Sequence, residues 1–131
     1  MSRREGFVAF YCPECNTKSL KIVSKIELPA DARSDEIAVQ TLRCGHCRFA
    51  AMAVYEESRR GALDDESVEH TGYRLSPQEL RDLRRDIKQC PEPRNPRCQC
   101  ATHRKLGTRN KAGRWNGLPD LRSHDSFALR L

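Results

Sequence analysis

Two pairs of cysteines in this sequence have a spacing that is typical of metal ligands. Cys12 and Cys15 form the first pair and Cys44 and Cys47 the second, and two residues separate the cysteines of each pair. A turn of this length directs both sulfurs at one ion while backbone N–H groups point back at the thiolates, so each pair supplies half of a tetrahedral site. We therefore predict that these four cysteines bind one Zn²⁺ ion.

A zinc ion with four thiolate ligands has no open coordination position. Such a site is expected to be structural, because it cannot activate a water molecule. His46 lies inside the second pair and is an alternative ligand, but we interpret it as a solvent-facing turn residue because Cys47 completes the pair. The sequence therefore predicts a binding protein with no catalytic residues.

A second group of candidate ligands comprises Cys90, Cys98, Cys100 and His103. Three thiolates and one imidazole match Zn²⁺ in number and softness, and an ion would restrain a loop that is rich in proline. Free thiols and a Cys98/Cys100 redox pair remain alternatives. A nucleophilic Cys100 with His103 as its base is disfavoured, because no third group is evident to orient the base.

The number of cysteines also bears on the cellular compartment. Seven cysteines cannot all pair within one chain, and residues 1–6 lack the apolar segment of a secretory leader. No stretch approaches the ~18 to 20 apolar residues that span a bilayer. We expect a cytoplasmic protein, or one in the nucleoid or nucleus, where a reducing environment favours metal binding over disulfides.

The segments around the first four cysteines are predicted to be β-strands. Residues 7–11, 20–28 and 36–42 combine β-branched or aromatic residues with alternation of apolar and polar positions. A polar break at residues 29–35 joins the last two of these strands. Residues 49–55 are expected to form a further strand, although their alanines leave a helix as an alternative.

Paired cysteine turns joined by a β-hairpin make residues 7–56 resemble the zinc-ribbon superfamily. That superfamily includes ribbons of transcription factors, RNA polymerase subunits and ribosomal proteins. The resemblance implies zinc ligation by the two cysteine pairs and association with nucleic acid or with large complexes that handle it. A ribbon typically has Gly after each pair, where this chain has Asn16 and Arg48. Because ribbons occur in many unrelated proteins, no single family or function follows.

Residues 56–72 are acidic and are predicted to be a loop. A metal or acid/base cluster is the alternative, because carboxylates lie close to a histidine in this segment. The residues concerned are Asp64, Asp65, Glu66, Glu69 and His70.

A helix is predicted to follow this loop. Ser76 is a suitable N-cap, Pro77 the first helical residue and Glu79 the partner of a capping box. An apolar stripe then runs along one side of the helix, formed by Leu80, Leu83 and Ile87. A helix of this length is unstable alone, so the stripe must dock, either on the ribbon or on a partner protein.

The C-terminal third has a net charge of +6, equal to that of the whole chain, with nine Lys or Arg against three Asp or Glu in residues 90–131. Residues 93–119 contain seven Lys or Arg and no acidic residue, which favours polyanion binding. We predict an extended arm that follows phosphates, with its tryptophan stacking on a base or inserting into a protein pocket. A flexible tail that only aids solubility is the alternative. The candidate contact residues are Arg94, Arg97, Arg104, Lys105, Arg109, Lys111, Arg114 and Trp115.

Together these features predict a small metal-stabilised α+β protein. Its parts are a zinc-ribbon β-sheet (residues 1–58), an acidic loop with one capped helix (59–89), and a second, proline-rich zinc knuckle with a basic C-terminal arm (90–131). The expected function is non-catalytic binding of DNA or RNA. The alternative is an adaptor or regulatory subunit that docks on a larger protein complex through the ribbon edge, the helix and the apolar segment 127–129. No small-molecule substrate or membrane partner is expected.

Overall fold

The computed structural model describes residues 9–59 and 67–131. Within these ranges the elements follow in a simple order: β1 (Ala9–Phe10), β2 (Leu20–Leu28), β3 (Glu36–Cys44), β4 (Ala50–Ser58), β5 (Ser67–Leu75), α1 (Pro77–Lys88), α2 (Ala101–Leu106), a 3₁₀ turn (Leu121–Ser123) and β6 (Ser126–Ala128). Neither described helix has the length and apolar character needed to cross a membrane.

The six strands form one curled antiparallel sheet in which each strand pairs with its neighbours in chain order. A register shift between Ile22 and Ser24 bends β2 against β3. Side chains alternate between the two faces along each strand. The pair Val39 and Val54 therefore lies on one face, and the pair Gln40 and Ala53 lies on the other. The predicted α+β class is confirmed in this form, although the sheet is larger than a two-hairpin ribbon.

Helix α1 covers the first face of the sheet. Its capping box forms as predicted, because Ser76 Oγ accepts from the Glu79 N–H at 3.1 Å and a Glu79 carboxylate oxygen accepts from the Ser76 N–H at 2.8 Å. The apolar stripe is buried in the first-face core rather than left for a partner. The stripe residues meet strand side chains there, and the group includes Leu80, Leu83, Ile87, Ile26, Val39, Met52 and Val54.

The C-terminal third folds back onto the sheet, which corrects the prediction of an extended arm. Leu106 and Trp115 belong to the first-face core, and Trp115 is only 4% exposed. The Asp31 carboxylate holds this segment in place, because it accepts from the Trp115 N–H at 2.6 Å and from Arg114 at 2.7 Å. Burial raises the pKa of Asp31, but the backbone N–H groups of Trp115, Ser34 and Arg33 and the charge of Arg114 together hold it below its ordinary value.

Replacing Asp31 with asparagine is expected to destabilise the fold by about 2 to 3 kcal/mol at pH 7, because a buried carboxylate loses its charge-assisted hydrogen bonds. The folded-state pKa is lowered, so the contribution of Asp31 is present above the ordinary aspartate pKa of about 3.9 and is lost as the pH falls through the folded value. Chemical unfolding from pH 7 down to pH 3 measures this.

The exposed Asp120, whose side chain makes no capping hydrogen bond, provides the control as Asp120→Asn. A difference in stability between wild type and Asp31→Asn that stays constant with pH would contradict this role of the carboxylate.

The second face of the sheet carries a separate apolar core around the pairs Cys12/Cys15 and Cys44/Cys47. Its buried members are Phe10, Cys12, Leu20, Leu42, Cys44, Phe49, Ala51 and Ala53. The ring of Phe127 in β6 lies directly over Gly72, where a Cβ atom would come within 2.5 Å of it. Because Gly72 has no side chain, the Phe127 ring has room and β6 can pair with β5 at this position.

Two of the predicted elements need correction or completion. Of residues 49–55, all but Phe49 belong to strand β4, so the helix alternative is wrong. The predicted loop at residues 56–72 is wrong where it is described, because β4 continues to Ser58 and β5 begins at Ser67. Glu69 and His70 are therefore strand residues, while Asp64, Asp65 and Glu66 lie outside the described residues.

Candidate metal centres

The first candidate metal centre brings together all four sulfurs of the paired cysteines. Cys12 Sγ lies 3.6 Å from Cys47 Sγ, and Cys15 Sγ lies 3.7 Å from Cys44 Sγ. All four sulfurs lie within 4.8 Å of one another. A regular tetrahedron of sulfurs ~2.3 Å from a central ion has edges of about 3.8 Å. The arrangement therefore has the size of a four-thiolate metal site.

Backbone turns at the ends of the strands position these sulfurs. Cys12 follows β1 and Cys44 ends β3, and both are buried. The residue after each pair has a left-handed conformation, with φ of 61° at Asn16 and 70° at Arg48. Asparagine adopts this conformation readily and arginine less so. Arg48 nevertheless closes the second turn, where the Cys44 N–H donates to the Phe49 carbonyl at 2.9 Å.

Hydrogen-bond donors surround the sulfurs unevenly, and the pKa values of the thiols separate as a result. Burial raises the pKa of Cys44, but the Ser19 hydroxyl at 3.0 Å and the N–H groups of His46 and Cys47 lower it to about 6. Burial and the neighbouring sulfurs raise the pKa of Cys47 to about 12. Four crowded sulfurs therefore do not all ionise by themselves, and a bound cation would stabilise the set of thiolates.

His46 is exposed in this turn and is not among the clustered ligands. The expectation that it faces solvent is confirmed.

The second candidate metal centre brings together Cys90, Cys98, Cys100 and His103. Cys90 Sγ lies 3.8 Å from Cys98 Sγ and 3.2 Å from His103 Nδ1, and Cys100 Sγ lies 3.5 Å from the same nitrogen. A tetrahedral ion with Zn–S of ~2.3 Å and Zn–N of ~2.0 Å would set sulfur and nitrogen about 3.5 Å apart. Neither this cluster nor the first contains a disulfide.

The ring of His103 is held in the orientation that a metal ligand needs. Its Nε2 lies 2.8 Å from the Glu27 carbonyl oxygen, which accepts a hydrogen bond and so places the ring proton on Nε2. Nδ1 is then free to bind an ion. The Glu27 N–H donates to the Pro93 carbonyl at 2.7 Å. Both backbone groups of Glu27 in β2 therefore contact the second cluster, the carbonyl through His103 and the N–H through Pro93.

The thiols of this cluster also differ in acidity. Burial raises the pKa of Cys100, but the hydrogen bond from the His103 backbone N–H, together with contacts to the His103 ring, Cys90 and Cys98, lowers it to about 6. Burial and the neighbouring sulfurs raise the pKa of Cys90 to about 11. This pattern repeats that of the first cluster.

The predicted nucleic-acid contacts fall into two groups in the structure. Trp115 is buried and its indole N–H donates to the Leu106 carbonyl at 2.7 Å, so the expectation that it stacks on a base is wrong. Arg114 forms ion pairs with Asp31 and Glu56. The other candidates are exposed, namely Arg94, Arg97, Arg104, Lys105, Arg109 and Lys111.

Three of the exposed candidates line one groove beside the second cluster. Arg97, Arg104 and Arg109 border a space of about 560 Å³ whose wall also includes Cys98 and His103. Arg104 donates to the Gln99 carbonyl at 2.8 Å, and Arg109 donates to the Ala30 carbonyl. The second metal centre therefore forms one wall of a basic groove.

The structure also has a second basic groove, which was not predicted from the sequence. It lies between β2 and α1, has a volume of about 800 Å³, and is lined by Lys25, Arg81, Arg84, Arg85 and Lys88 together with Cys90 and Pro93. The spacing of its helical residues, three, four and seven positions after the first, places them on one helix face. In the sequence alone, this spacing is equally that of the solvent-facing side of an amphipathic helix.

The fold and its sites define a small α+β protein with two ligand clusters that are compatible with zinc-binding knuckles. Comparison of the chain with protein-family models, with curated proteins and with solved structures found no match in any of the three.

Proposed function

We propose that this chain is a non-catalytic zinc protein that binds nucleic acid through the basic surface around its second metal centre. The observation that carries the proposal is the convergence of Arg97, Arg104 and Arg109 on one groove whose wall is the second ligand cluster. This folded surface takes the place of the predicted extended arm. Trp115 is buried in the core, and Arg114 forms an ion pair with Asp31.

Zinc is the ion that suits both clusters best. Thiolate and imidazole ligands in tetrahedral sets of four are typical of structural Zn²⁺ sites, and the distances between ligand atoms fit zinc–ligand bond lengths. With four protein ligands each, neither ion would keep a position for water or substrate, which supports a structural role for both.

The charge around the second centre favours a polyanion. No aspartate or glutamate is among the described residues that line the Arg97 groove or the groove between β2 and α1. By contrast, Lys105 pairs with Asp86 at 2.9 Å on the surface between α1 and α2. In the groove between β2 and α1, Arg85 pairs with Asp82 and Lys25 with Glu27. Arg97, Arg104 and Arg109 form no ion pair with a described acidic residue, and their guanidinium N–H donors match phosphate oxygens.

Two of the three surfaces suggested for an adaptor, the apolar stripe of α1 and the segment 127–129, make contacts inside the chain. The stripe of α1 is buried against the sheet, and Phe127 packs on Gly72 and Phe49. The nucleic-acid function therefore has the better structural support.

The test is the salt dependence of binding to labelled DNA and RNA, single-stranded and duplex. The triple variant Arg97→Ala, Arg104→Ala, Arg109→Ala is expected to weaken binding and to reduce the slope of log K against log salt by about 2, since each lost phosphate contact removes ~0.7 for a single strand. The salt titration separates this loss from a general effect on folding.

The control variant removes three charges at the opposite end of the sheet, with Lys18, Lys21 and Arg130 changed to alanine. These side chains are exposed and lie near the first cluster. An equal loss of slope in both triple variants would show that only net charge matters, and absence of binding to every probe at low salt would remove the proposal.

A further inference from the structure

The second face of the sheet holds a cavity that none of the predicted sites uses. It has a volume of about 580 Å³ and opens beside the Arg97 groove, since Pro29, Pro96 and Arg97 line both spaces. Its floor includes Ala38, a buried strand residue. The cavity is therefore continuous with the surface proposed to bind phosphates.

A buried amide lines this cavity with unused hydrogen-bonding capacity. Gln40 is only 7% exposed, and its Oε1 lies 2.7 Å from Nε2 of His70. Because a carbonyl oxygen only accepts, Nε2 must carry the proton, which leaves His70 Nδ1 as an acceptor. The contact of Oε1 with His70 is the only hydrogen bond that the Gln40 side chain makes to a described residue. A buried amide donor without a partner is uncommon and indicates a ligand or an ordered water.

Two rings, those of Tyr55 and His70, line the cavity together with the charged side chains of Lys25, Glu27, Asp35 and Glu36. The rings of Tyr55 and His70 lie 5.5 Å apart in an edge-to-face arrangement, and the ring of Phe10 lies on the other side of His70 at 5.6 Å. Burial lowers the pKa of His70, so the imidazole is neutral at neutral pH and keeps its acceptor. The cavity thus combines a small apolar floor and ring edges with one amide donor, one imidazole acceptor and the carboxylate acceptors of Glu27, Asp35 and Glu36.

We propose that this cavity receives one unstacked base of a single-stranded nucleic acid whose backbone lies in the Arg97 groove. A nucleobase is a planar ring with adjacent hydrogen-bond donors and acceptors, and in a duplex it is stacked and paired and cannot enter. Arg97, which borders both spaces, would hold the phosphate next to the bound base. This inference rests on the proposed function and specifies the nucleic acid as single-stranded.

The experiment uses two variants that change the cavity but keep the net charge of the protein. Ala38→Leu places a larger side chain on the floor, and Gln40→Leu removes the amide at similar volume. Fluorescence anisotropy measures binding to a single-stranded DNA, a single-stranded RNA, an abasic oligonucleotide of equal length, and inorganic polyphosphate. Ala128→Leu, at an exposed alanine in β6, is the matched control. Thermal unfolding identifies any variant that fails to fold.

Wild type should bind the oligonucleotides that contain bases about tenfold more tightly than the abasic one. Ala38→Leu and Gln40→Leu should lose this preference while binding the abasic oligonucleotide and polyphosphate as wild type does. The DNA and RNA probes show which sugar is preferred.

An unchanged preference in both folded cavity variants would overturn the inference and leave the proposed function standing. Failure of wild type to bind any of the four probes would overturn the inference, and the proposed function would fall with it only if duplex DNA and RNA were not bound either.

Discussion

Replacing Cys44 with serine should remove one zinc ion and unfold the half of the sheet around the first cluster. Cys12 and Cys44 are buried in the second-face core, and β1, with two residues paired to β2, adds little hydrogen bonding of its own. A bound ion would therefore be the main connection between the two cysteine turns. Structural zinc contributes on the order of 10 kcal/mol in small domains, which exceeds the stability of most of them.

Metal analysis by mass spectrometry and thermal unfolding measure this effect. Wild type should contain two zinc ions per chain, and Cys44→Ser should contain one and show no cooperative transition for this region. His46→Ala provides the matched control, because His46 lies in the same turn but is exposed and is not a ligand. It should retain both ions and an unchanged melting temperature. A fully folded Cys44→Ser protein without metal at this site would contradict the role assigned to the ion.

Loss of the second ion should release the C-terminal third from the sheet. Cys98→Ser is the variant of choice, because Cys98 is only partly buried and its replacement removes a ligand with little change in packing. The second cluster connects the end of α1, the loop at Pro93 and helix α2, and His103 joins them to β2 through the Glu27 carbonyl. We expect a loss of more than about 3 kcal/mol in unfolding free energy.

The single tryptophan reports on this release. Trp115 packs with Leu106 in the first-face core and donates to the Leu106 carbonyl, and Leu106 belongs to helix α2, which carries His103. Cys98→Ser should therefore shift Trp115 fluorescence to the red and lower the zinc content to one ion per chain. Gln99→Ser, an exposed substitution between two ligands, should change neither. Retention of two ions by Cys98→Ser would count against the second site.

The second ligand set was indicated only by its residue types and by the two residues between Cys100 and His103, whereas the first set could be predicted because the geometry within each cysteine pair is local. Two residues between cysteines define a turn that aims both sulfurs at one point, whatever the rest of the chain does. The N-terminus of α1 was predictable for the same reason, since Ser76 and Glu79 satisfy each other's backbone N–H groups within a single turn. The apolar stripe then required a surface to pack on, and the sheet provides it.

Strand β5 could not be predicted because its partners are elsewhere in the chain. Glu69 and His70 resemble loop residues in sequence, yet the backbone of this segment pairs with β4 on one side and β6 on the other. Gly72 lacks a side chain because the ring of Phe127 lies over it. Neither fact is visible within a short window of sequence.

The sequence by itself determined which residues can bind metal, where the main helix begins and which third of the chain is basic. These properties depend on residue type and on neighbours within about one turn. Only the tertiary structure decided that Trp115 is a core residue, that Arg114 pairs with Asp31, and that three arginines share a groove with the second metal centre. Burial and charge pairing depend on segments that are distant in the chain, and those segments meet only when the sheet has formed.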